Sequence, residues 1–250
     1  MNELLERIVR QTHADLRARK SDPLPEPPDR PRGSLAAALS TPGLSLIAEV
    51  KPKSPSKGHL RRLDELEPVI TAYRARASAV SVLVDRPFFG GGPDLLARVR
   101  ESLPQPILAK GFMLDPHQLA EARAWGASAA LLIVRLLEGS ALAEMLAAAR
   151  SLELETLVEV HTDAELDRAL EVGAQIIGVN ARDLDSLDMD LAAARARLDR
   201  IPKGVLRVAE SGLESREDVD AARPHAEGVL IGHAFMQAED PAAAMVALGW

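Results

Sequence analysis

The sequence predicts a (β/α)₈ TIM barrel preceded by an N-terminal helical extension. From Leu44 onward, eight short runs rich in Val, Ile, Leu and Ala alternate with stretches of helical character. Eight parallel strands are the number that closes such a barrel, and the 250-residue length fits this fold. An open, doubly wound sheet is the alternative. No G-x-G-x-x-G motif follows the first strand, which argues against a dinucleotide-binding fold.

Residues 1–43 are predicted to form the extension, and residues 44–250 the barrel, of one single-domain chain. Leu4, Leu5 and Ile8 recur near helical spacing, so the chain begins with an amphipathic helix. "SDPLPEPPDRPRG" contains five prolines and predicts an extended linker, and "SLAAALS" predicts a short second helix. The apolar stripe of the first helix is compatible with packing on the barrel's own mouth or on a partner.

The eight predicted strands are "LSLIAEV", "AVSVLVD", "PILAKGF", "AALLIV", "ETLVEV", "QIIGVN", "VLRVAES" and "GVLIG". The predicted helices between these strands begin and end at typical capping residues. Asp115 is followed by proline, and Thr162 and Ser215 each have an acidic residue three positions later, which is the spacing of a capping box. Gly126 and Gly173 are predicted to end helices in the left-handed conformation.

Composition excludes several classes of protein. Apolar residues make up 47% and charged residues 27%, and the net charge of −7 provides no general basic surface for nucleic acid. No apolar run is long enough to cross a bilayer, and the N-terminus has no signal-peptide pattern. The absence of cysteine excludes disulfides, thiolate metal sites and a cysteine nucleophile. We therefore expect a cytoplasmic protein with neither a nucleic-acid nor a membrane partner.

Ionisable and amide side chains end most of the predicted strands. Because the active site of a barrel lies at the carboxyl ends of its strands, these side chains should meet at one mouth. In chain order they are Glu49 with Lys51, Lys110, Glu159, Asn180 with Arg182, and Glu210 with Ser211. Two lysines and two or three carboxylates suit proton transfer, although a lysine could instead form a Schiff base. Four other side chains are expected to be ordinary solvated loop residues: Asp85, Arg135, His161 and His233.

Glycines after the last two strands predict a phosphate site. Gly212 in "AESGL" and Gly232 in "LIGHAFM" leave backbone N–H groups open to an anion. Lys51 and Ser54 from the first loop could close this site, because the first and last strands of a barrel adjoin. The six histidines are scattered and predict no metal site. From the residues alone, the chemistry is acid–base or imine chemistry on a phosphorylated metabolite.

Six motifs closely resemble those of the indole-3-glycerol phosphate synthase family. They are, in order, "IAEVKPKSPSKG", "LVDRPFFGG", "ILAKGF", "LVEVHT", "IIGVNARDL" and "VAESGL". The resemblance implies a decarboxylating carbon–carbon lyase of tryptophan biosynthesis. Such an enzyme converts 1-(2-carboxyphenylamino)-1-deoxyribulose 5-phosphate to indole-3-glycerol phosphate, with loss of CO₂ and water and without a cofactor or a metal. We expect a monomer, with weak association with other tryptophan-pathway enzymes as a further expectation.

The resemblance also implies roles for individual residues. Lys110 would be the general acid that protonates the ketone. Glu159 would act in the dehydration, with Lys51 as its partner or as a competing acid. Glu49 would orient Lys51, and Glu210 would belong to the same polar cluster. The other implied contacts are Asn180, Ser211 and Arg182 for the anthranilate part, and Ser54, Gly212, Gly232 and the His233 amide for the phosphate. Ring closure also needs a neutral slot for the aryl group. Its predicted walls, for which ordinary core packing is the alternative, are Phe88, Phe89, Phe112, Leu131 and Leu184.

Three positions depart from the family pattern. Gly111 follows the catalytic lysine where Asp is usual, Ala181 replaces a second Asn, and His233 stands where Ser, Thr or Glu is common. We expect activity to persist. Because an acid beside Lys110 is missing, the pH profile of the activity should be altered.

Other barrel functions fit the sequence less well. Phosphoribosylanthranilate isomerases rely on a cysteine and ribulose-phosphate epimerases on a metal-binding His/Asp set, and the sequence contains neither. An aldolase that uses Lys110 as a Schiff base and a barrel retained only as a scaffold stay open as alternatives.

Overall fold

The computed structural model describes residues 3–26, 33–55, 58–183, 186 and 188–250. Within these residues, eight parallel strands close into a barrel, which confirms the predicted fold and all eight strand runs. The barrel strands are β1 (Ser45–Val50), β4 (Ala79–Leu83), β5 (Ile107–Lys110), β6 (Ala129–Ile133), β7 (Glu155–Val160), β8 (Ile176–Asn180), β9 (Leu206–Glu210) and β10 (Gly228–Ile231). Each strand pairs with the next along the chain, and β10 returns to pair with β1. Two short strands, β2 (Lys53–Ser54) and β3 (Gly58–His59), form an antiparallel hairpin after β1.

Strand β1 shows why the barrel strands are apolar along almost their whole length. Leu46 and Ala48 belong to the layer between strands and helices, whereas Ile47 belongs to the cluster inside the barrel. Both faces of each strand are therefore buried, as is usual in parallel α/β folds. Because alternate residues share a face, Glu49 points to the same interior as Ile47. A carboxylate is thus placed at the inner rim by strand geometry alone.

Helices surround the barrel, and several begin at the predicted caps. They are α1 (Glu3–Arg19), α2 (Leu35–Leu39), α3 (Glu67–Arg76), α4 (Arg86–Phe89), α5 (Pro93–Ser102), α6 (Pro116–Ala124), α7 (Ala141–Ser151), α8 (Asp163–Glu171), α9 (Leu191–Asp199), α10 (Arg216–Ala222), α11 (His233–Gln237) and α12 (Pro241–Leu248). Asp115 and Ser215 form complete capping boxes. Gly126 and Gly173 have the left-handed φ values of +94° and +74° predicted for them. None of the described helices combines the length and the apolar character needed to cross a bilayer.

Helix α2 closes the amino-terminal end of the barrel. Leu35 and Leu39 are almost fully buried in the interior cluster. The carboxylate of Glu155, at the start of β7, accepts hydrogen bonds from the Ser34 hydroxyl at 2.6 Å and from the Leu35 N–H at 2.5 Å. This carboxylate satisfies donors at the first turn of α2, which would otherwise lack partners.

Helix α1 covers the opposite end, the mouth of the barrel. Leu5 and Ile8 are each only 3% exposed and line the cavity there. At the end of the helix, the Arg19 guanidinium lies 2.6 Å from the Glu121 carboxylate on α6. The apolar stripe of α1 therefore packs on the chain's own barrel. Of the predicted proline-rich linker, residues 27–32 lie outside the described residues.

Candidate active site

A cavity of about 270 Å³ opens at the carboxyl ends of the barrel strands. It brings together all but one of the predicted site residues that the structure describes: Glu49, Lys51, Ser54, Phe89, Lys110, Phe112, Leu131, Glu159, Asn180, Arg182, Glu210, Ser211, Gly212, Gly232 and His233. Leu184, also predicted for the aryl slot, lies outside the described residues. Phe88 is not part of the lining. Leu4, Leu5 and Ile8 of α1 contribute an apolar wall for which the sequence left two interpretations.

Lys110 lies between two carboxylates in this cavity. Its Nζ is 3.1 Å from Oε2 of Glu159 and 3.0 Å from Oε2 of Glu210. Burial alone would lower the pKa of Lys110. The carboxylates of Glu159, Glu210 and Glu49 outweigh that effect and hold the Lys110 pKa well above its ordinary value. The side chain is therefore an ammonium ion whose protons point at acceptors from β7 and β9.

The two glutamates that contact Lys110 differ in their acidity. Burial would raise the pKa of Glu159, but Lys110 and His161 outweigh it and hold that pKa well below its ordinary value. Burial raises the pKa of Glu210 to about 7, with the negative charge of Glu159 adding to the shift and Lys110 opposing it. Within the described part of the chain, Oε1 of Glu210 has no hydrogen-bond partner. Glu159 is therefore a fixed carboxylate, whereas Glu210 can take up a proton near neutrality.

A second ion pair lies on β1 and the loop that follows it. Nζ of Lys51 is 2.5 Å from Oε1 of Glu49, whose side chain is only 2% exposed. The hydroxyl of Tyr73 donates a hydrogen bond of 2.9 Å to the Glu49 carbonyl oxygen. Gly232 leaves the space that the Glu49 side chain fills, because a Cβ at position 232 would lie 2.7 Å from Oε1. The cavity thus contains two lysine–carboxylate clusters. In one, Lys51 pairs with Glu49, and in the other, Lys110 pairs with both Glu159 and Glu210.

Asn180 links Glu159 to the loop after β8. Its Nδ2 donates to Oε1 of Glu159 at 3.2 Å, and its Oδ1 accepts from the Arg182 N–H at 3.0 Å. The amide group therefore fixes the orientation of the Glu159 carboxylate and the start of that loop together.

The mouth near β9 and β10 has the backbone features of an anion site. Ser211 and Gly212 adopt successive left-handed conformations, with φ of +66° and +71°. Such a conformation is uncommon for a serine. Helix α11 begins directly after Gly232, so its first N–H groups face the same end of the barrel. On the other side of the cavity, the rings of Phe89 and Phe112 lie 6.0 Å apart.

The structure explains the departure at Gly111. A Cβ at this position would lie 2.8 Å from Cγ2 of Val84, so a larger residue requires Val84 to shift. The carboxylates that contact Lys110 come from Glu159 and Glu210, on other strands.

Three residues expected to be solvated loop residues have defined partners instead. Asp85 accepts hydrogen bonds from the N–H groups of Phe88 and Phe89 and caps α4. Nε of Arg135 lies 3.1 Å from Oε1 of Glu165. The side chain of His161 is only 1% exposed. The expectation was wrong for these three because neighbouring chain segments, which a strand pattern does not reveal, cover them.

Among the residues that the structure describes, no group of three or more His, Cys, Asp or Glu side chains is arranged to hold a metal ion. The fold, the lysine between two carboxylates and the glycine turns after the last two strands define a class of protein. It is the class of phosphate-binding (β/α)₈ barrel enzymes that work by proton transfer.

Comparison with known proteins narrows this class to one family. The family model of indole-3-glycerol phosphate synthase matches residues 5–248, and the chain belongs to that family. Indole-3-glycerol phosphate synthase 2 of Streptomyces coelicolor is 45% identical over 215 residues, which cover 84% of this chain and 83% of that protein. The indole-3-glycerol phosphate synthase of Mycolicibacterium gilvum is 39% identical over 258 residues, covering 98% and 93% respectively.

A solved structure supports the fold independently. The crystal structure of a 3-hexulose-6-phosphate synthase superposes with a TM-score of 0.64 at 17% identity and covers 82% of this chain and 98% of its own. At this level of identity, the likeness concerns the barrel alone.

Proposed function

We propose that the chain closes the indole ring of indole-3-glycerol phosphate in tryptophan biosynthesis, with Lys110 as the first proton donor. Family membership supports the reaction. The observation that carries the residue assignment is the position of Lys110, whose ammonium group lies in the cavity between Glu159 and Glu210. The substrate is 1-(2-carboxyphenylamino)-1-deoxyribulose 5-phosphate, a phosphorylated small molecule.

The first step forms a carbon–carbon bond. The ring carbon that bears the carboxylate attacks the ketone carbon, and the ketone oxygen takes a proton from Lys110. The alkoxide that develops on this oxygen is more basic than an amine, so transfer from the ammonium group is favourable as the bond forms. The carboxylate then leaves as CO₂, and the electrons of the broken bond restore the aromatic ring. The carboxylates of Glu159 and Glu210 keep Lys110 protonated until the substrate arrives.

The second step removes water. The new hydroxyl leaves with a proton from an acid, and a base takes a proton from the adjacent carbon. We assign this step to Lys51 and Glu159, which line the same cavity. Glu49 orients Lys51 through their 2.5 Å ion pair. Glu210, with its raised pKa, exchanges protons with Lys110 between turnovers.

The remaining contacts hold the two ends of the substrate. For the phosphate we propose Ser54, Gly212, Gly232 and the amide of His233, which line the cavity after β1, β9 and β10. For the anthranilate part we propose Asn180, Ser211 and Arg182, with Phe89, Phe112 and Leu131 as walls. Binding both ends of the substrate brings its ring carbon close to its ketone carbon in the orientation needed for reaction, which lowers the entropic part of the activation barrier.

A Schiff-base mechanism is the second candidate, because Lys110 is a half-buried lysine in the cavity. Imine formation requires a neutral amine, and a lysine used in this way normally has a lowered pKa. The pKa of Lys110 is shifted in the opposite direction by its carboxylate partners. This observation favours proton transfer.

The test is a fluorescence assay of indole formation with wild type, Lys110→Ala and the control Lys20→Ala. Lys20 also pairs with a carboxylate, Asp115 at 2.6 Å, but it does not line the cavity. We expect Lys110→Ala to lose about 10²- to 10⁴-fold in kcat and Lys20→Ala to stay near wild type. Borohydride reduction in the presence of substrate should leave wild type active after dialysis. Covalent inactivation at Lys110 would favour the Schiff base, and a wild type without turnover would refute the proposal.

A further inference from the structure

His161 is buried directly behind Glu159. Its Nε2 lies 3.2 Å from Oε1 of Glu159, and its Nδ1 lies 3.4 Å from Oε2 of Glu165. The imidazole therefore has a carboxylate beside each ring nitrogen, at ion-pair distance. It does not line the cavity, so it has no route to the substrate except through Glu159.

Glu165 is held in place from several sides. Its Oε2 accepts the backbone N–H of His161 at 2.7 Å, and its Oε1 accepts from Nε of Arg135 at 3.1 Å. Its own N–H is capped by the Thr162 hydroxyl. The predicted capping box is thus half formed, because the Glu165 carboxylate reaches past the cap residue to His161. Glu165, whose spacing from Thr162 predicted a helix cap, is therefore a fixed carboxylate next to His161.

Charge balance in this cluster favours a protonated His161. The carboxylates Glu159 and Glu165 face it from β7 and α8. Lys110 and Arg135 lie behind those carboxylates, each bonded to one of them. Burial opposes the charge on the imidazole, but the two carboxylates outweigh it and raise the pKa of His161 to about 9. Alternating cations and anions thus run from Lys110 through Glu159, His161 and Glu165 to Arg135.

We propose that His161 is a positioning residue of the reaction: an imidazolium held between Glu159 and Glu165 that keeps Glu159 ionised and aimed into the cavity. This inference rests on the proposed function. Oε1 of Glu159 then accepts a hydrogen bond from Asn180 and lies at ion-pair distance from His161, and Oε2 accepts from Lys110. A carboxylate so surrounded stays ionised and therefore has no proton to donate. In the dehydration, Glu159 is therefore the base, and Lys51 is the donor to the departing hydroxyl.

Three variants test this role. His161→Leu removes the donor, His161→Gln restores a neutral N–H toward Glu159, and His225→Gln is the matched control. His225 also pairs with a carboxylate, Asp199 at 2.6 Å, but it precedes β10 at the other end of the barrel. Folding of each variant is checked by circular dichroism and thermal unfolding. The kinetic readouts are kcat and KM of indole formation from pH 6 to 10.

We expect His161→Leu to lower kcat by between about 10- and 100-fold, the range typical of groups that orient a ligand from behind, with KM changed less. His161→Gln should recover part of that loss. Wild-type kcat should fall as pH rises through about 9, where the imidazolium loses its proton. This loss should be absent from the already slower His161→Gln variant. His225→Gln should match wild type in both rate and pH profile.

Nitrogen NMR of the histidine side chains in wild type tests the charge state without any variant. An imidazolium signature for His161 at pH 7.5 supports the proposal, and a neutral ring overturns it, even if His161→Leu fails to fold. Equal kinetics of a folded His161→Leu and His225→Gln would also overturn it. A wild type that forms no indole refutes the proposed function instead, so the two failures are distinguishable.

Discussion

Gly178 on β8 lies against the Glu210 carboxylate with no room for a side chain. A Cβ added to Gly178 would lie 2.0 Å from Oε1 of Glu210, 3.1 Å from its Cδ and 3.3 Å from Cδ1 of Leu157. The substitution Gly178→Ala therefore displaces the carboxylate of Glu210, a partner of Lys110, without changing Lys110 itself or removing any of its partners.

The structure gives the size of the effect. Cβ atoms are not found closer than 3.0 Å to such neighbours, so Oε1 of Glu210 must retreat by at least 1.0 Å. The other oxygen, Oε2, lies 3.0 Å from Nζ of Lys110 and moves with it. A displacement of this size in a site group lowers the rate by about 100-fold, which is about 2.7 kcal/mol in the activation free energy. Gly178 has no positive φ that an alanine would strain, so any loss of unfolding free energy comes from overpacking against Glu210, about 1–3 kcal/mol as in other tight cores.

The assay is indole formation at saturating substrate, with Gly228→Ala as the control. That substitution makes the same chemical change on β10, but its Cβ would lie 2.4 Å from Cδ2 of Leu39 at the closed end of the barrel. We expect Gly228→Ala to keep its kcat and to lose about 1–3 kcal/mol of unfolding free energy from overpacking. A Gly178→Ala enzyme within threefold of the wild-type kcat would refute the reasoning, as would equal losses in both variants.

Three further predictions concern the closed end, the wall formed by α1 and the raised pKa. Glu155→Ala should lower the free energy of unfolding in urea by about 1–3 kcal/mol, because the first N–H groups of α2 lose their acceptor; an unchanged midpoint would contradict this. Leu5→Ala should raise KM about tenfold with a smaller effect on kcat, because α1 contributes apolar wall to the cavity; a pure kcat effect would contradict it. The folded-state pKa of Glu210 is raised to about 7, so between pH 4.5 and 7 the folded chain keeps a proton that the unfolded chain releases, and stability falls as pH rises. The free energy of unfolding of Glu210→Gln, measured relative to that of wild type, should therefore be higher at pH 8 than at pH 5. If the difference between the two proteins does not change with pH, the raised pKa of Glu210 is contradicted.

Much of the mouth could be predicted because parallel topology determines where strand ends lie. Lys110, Glu159 and Glu210 are far apart in the chain, but each ends or nearly ends a strand. A closed parallel barrel brings all strand ends to one rim whatever the loops do. The alternation of inward and outward positions then sends these three side chains into the same cavity.

The support behind that rim could not be predicted in the same way. His161 follows Glu159 by two positions, and its surroundings come from elsewhere in the chain: Glu165 of α8 contacts it, and Arg135 of the 3₁₀ turn Val134–Leu136 holds Glu165. Glu165 looked like a helix cap, and only its side-chain direction in three dimensions reveals the contact with His161. The stripe of α1 was equally ambiguous, because an apolar helix face does not specify which surface covers it.

The unequal acidity of Glu159 and Glu210 has a simple origin in their partners. Glu159 receives Lys110, His161 and Asn180, whereas Glu210 shares the same lysine but leaves Oε1 without a donor among the described residues. One lysine can stabilise only one nearby negative charge fully, so the carboxylate with more polar and cationic partners stays ionised and the other holds a proton more readily. The glycine at position 111 fits this balance. An aspartate there would add a further negative charge near a lysine that already has two carboxylate partners, and it would press on Val84.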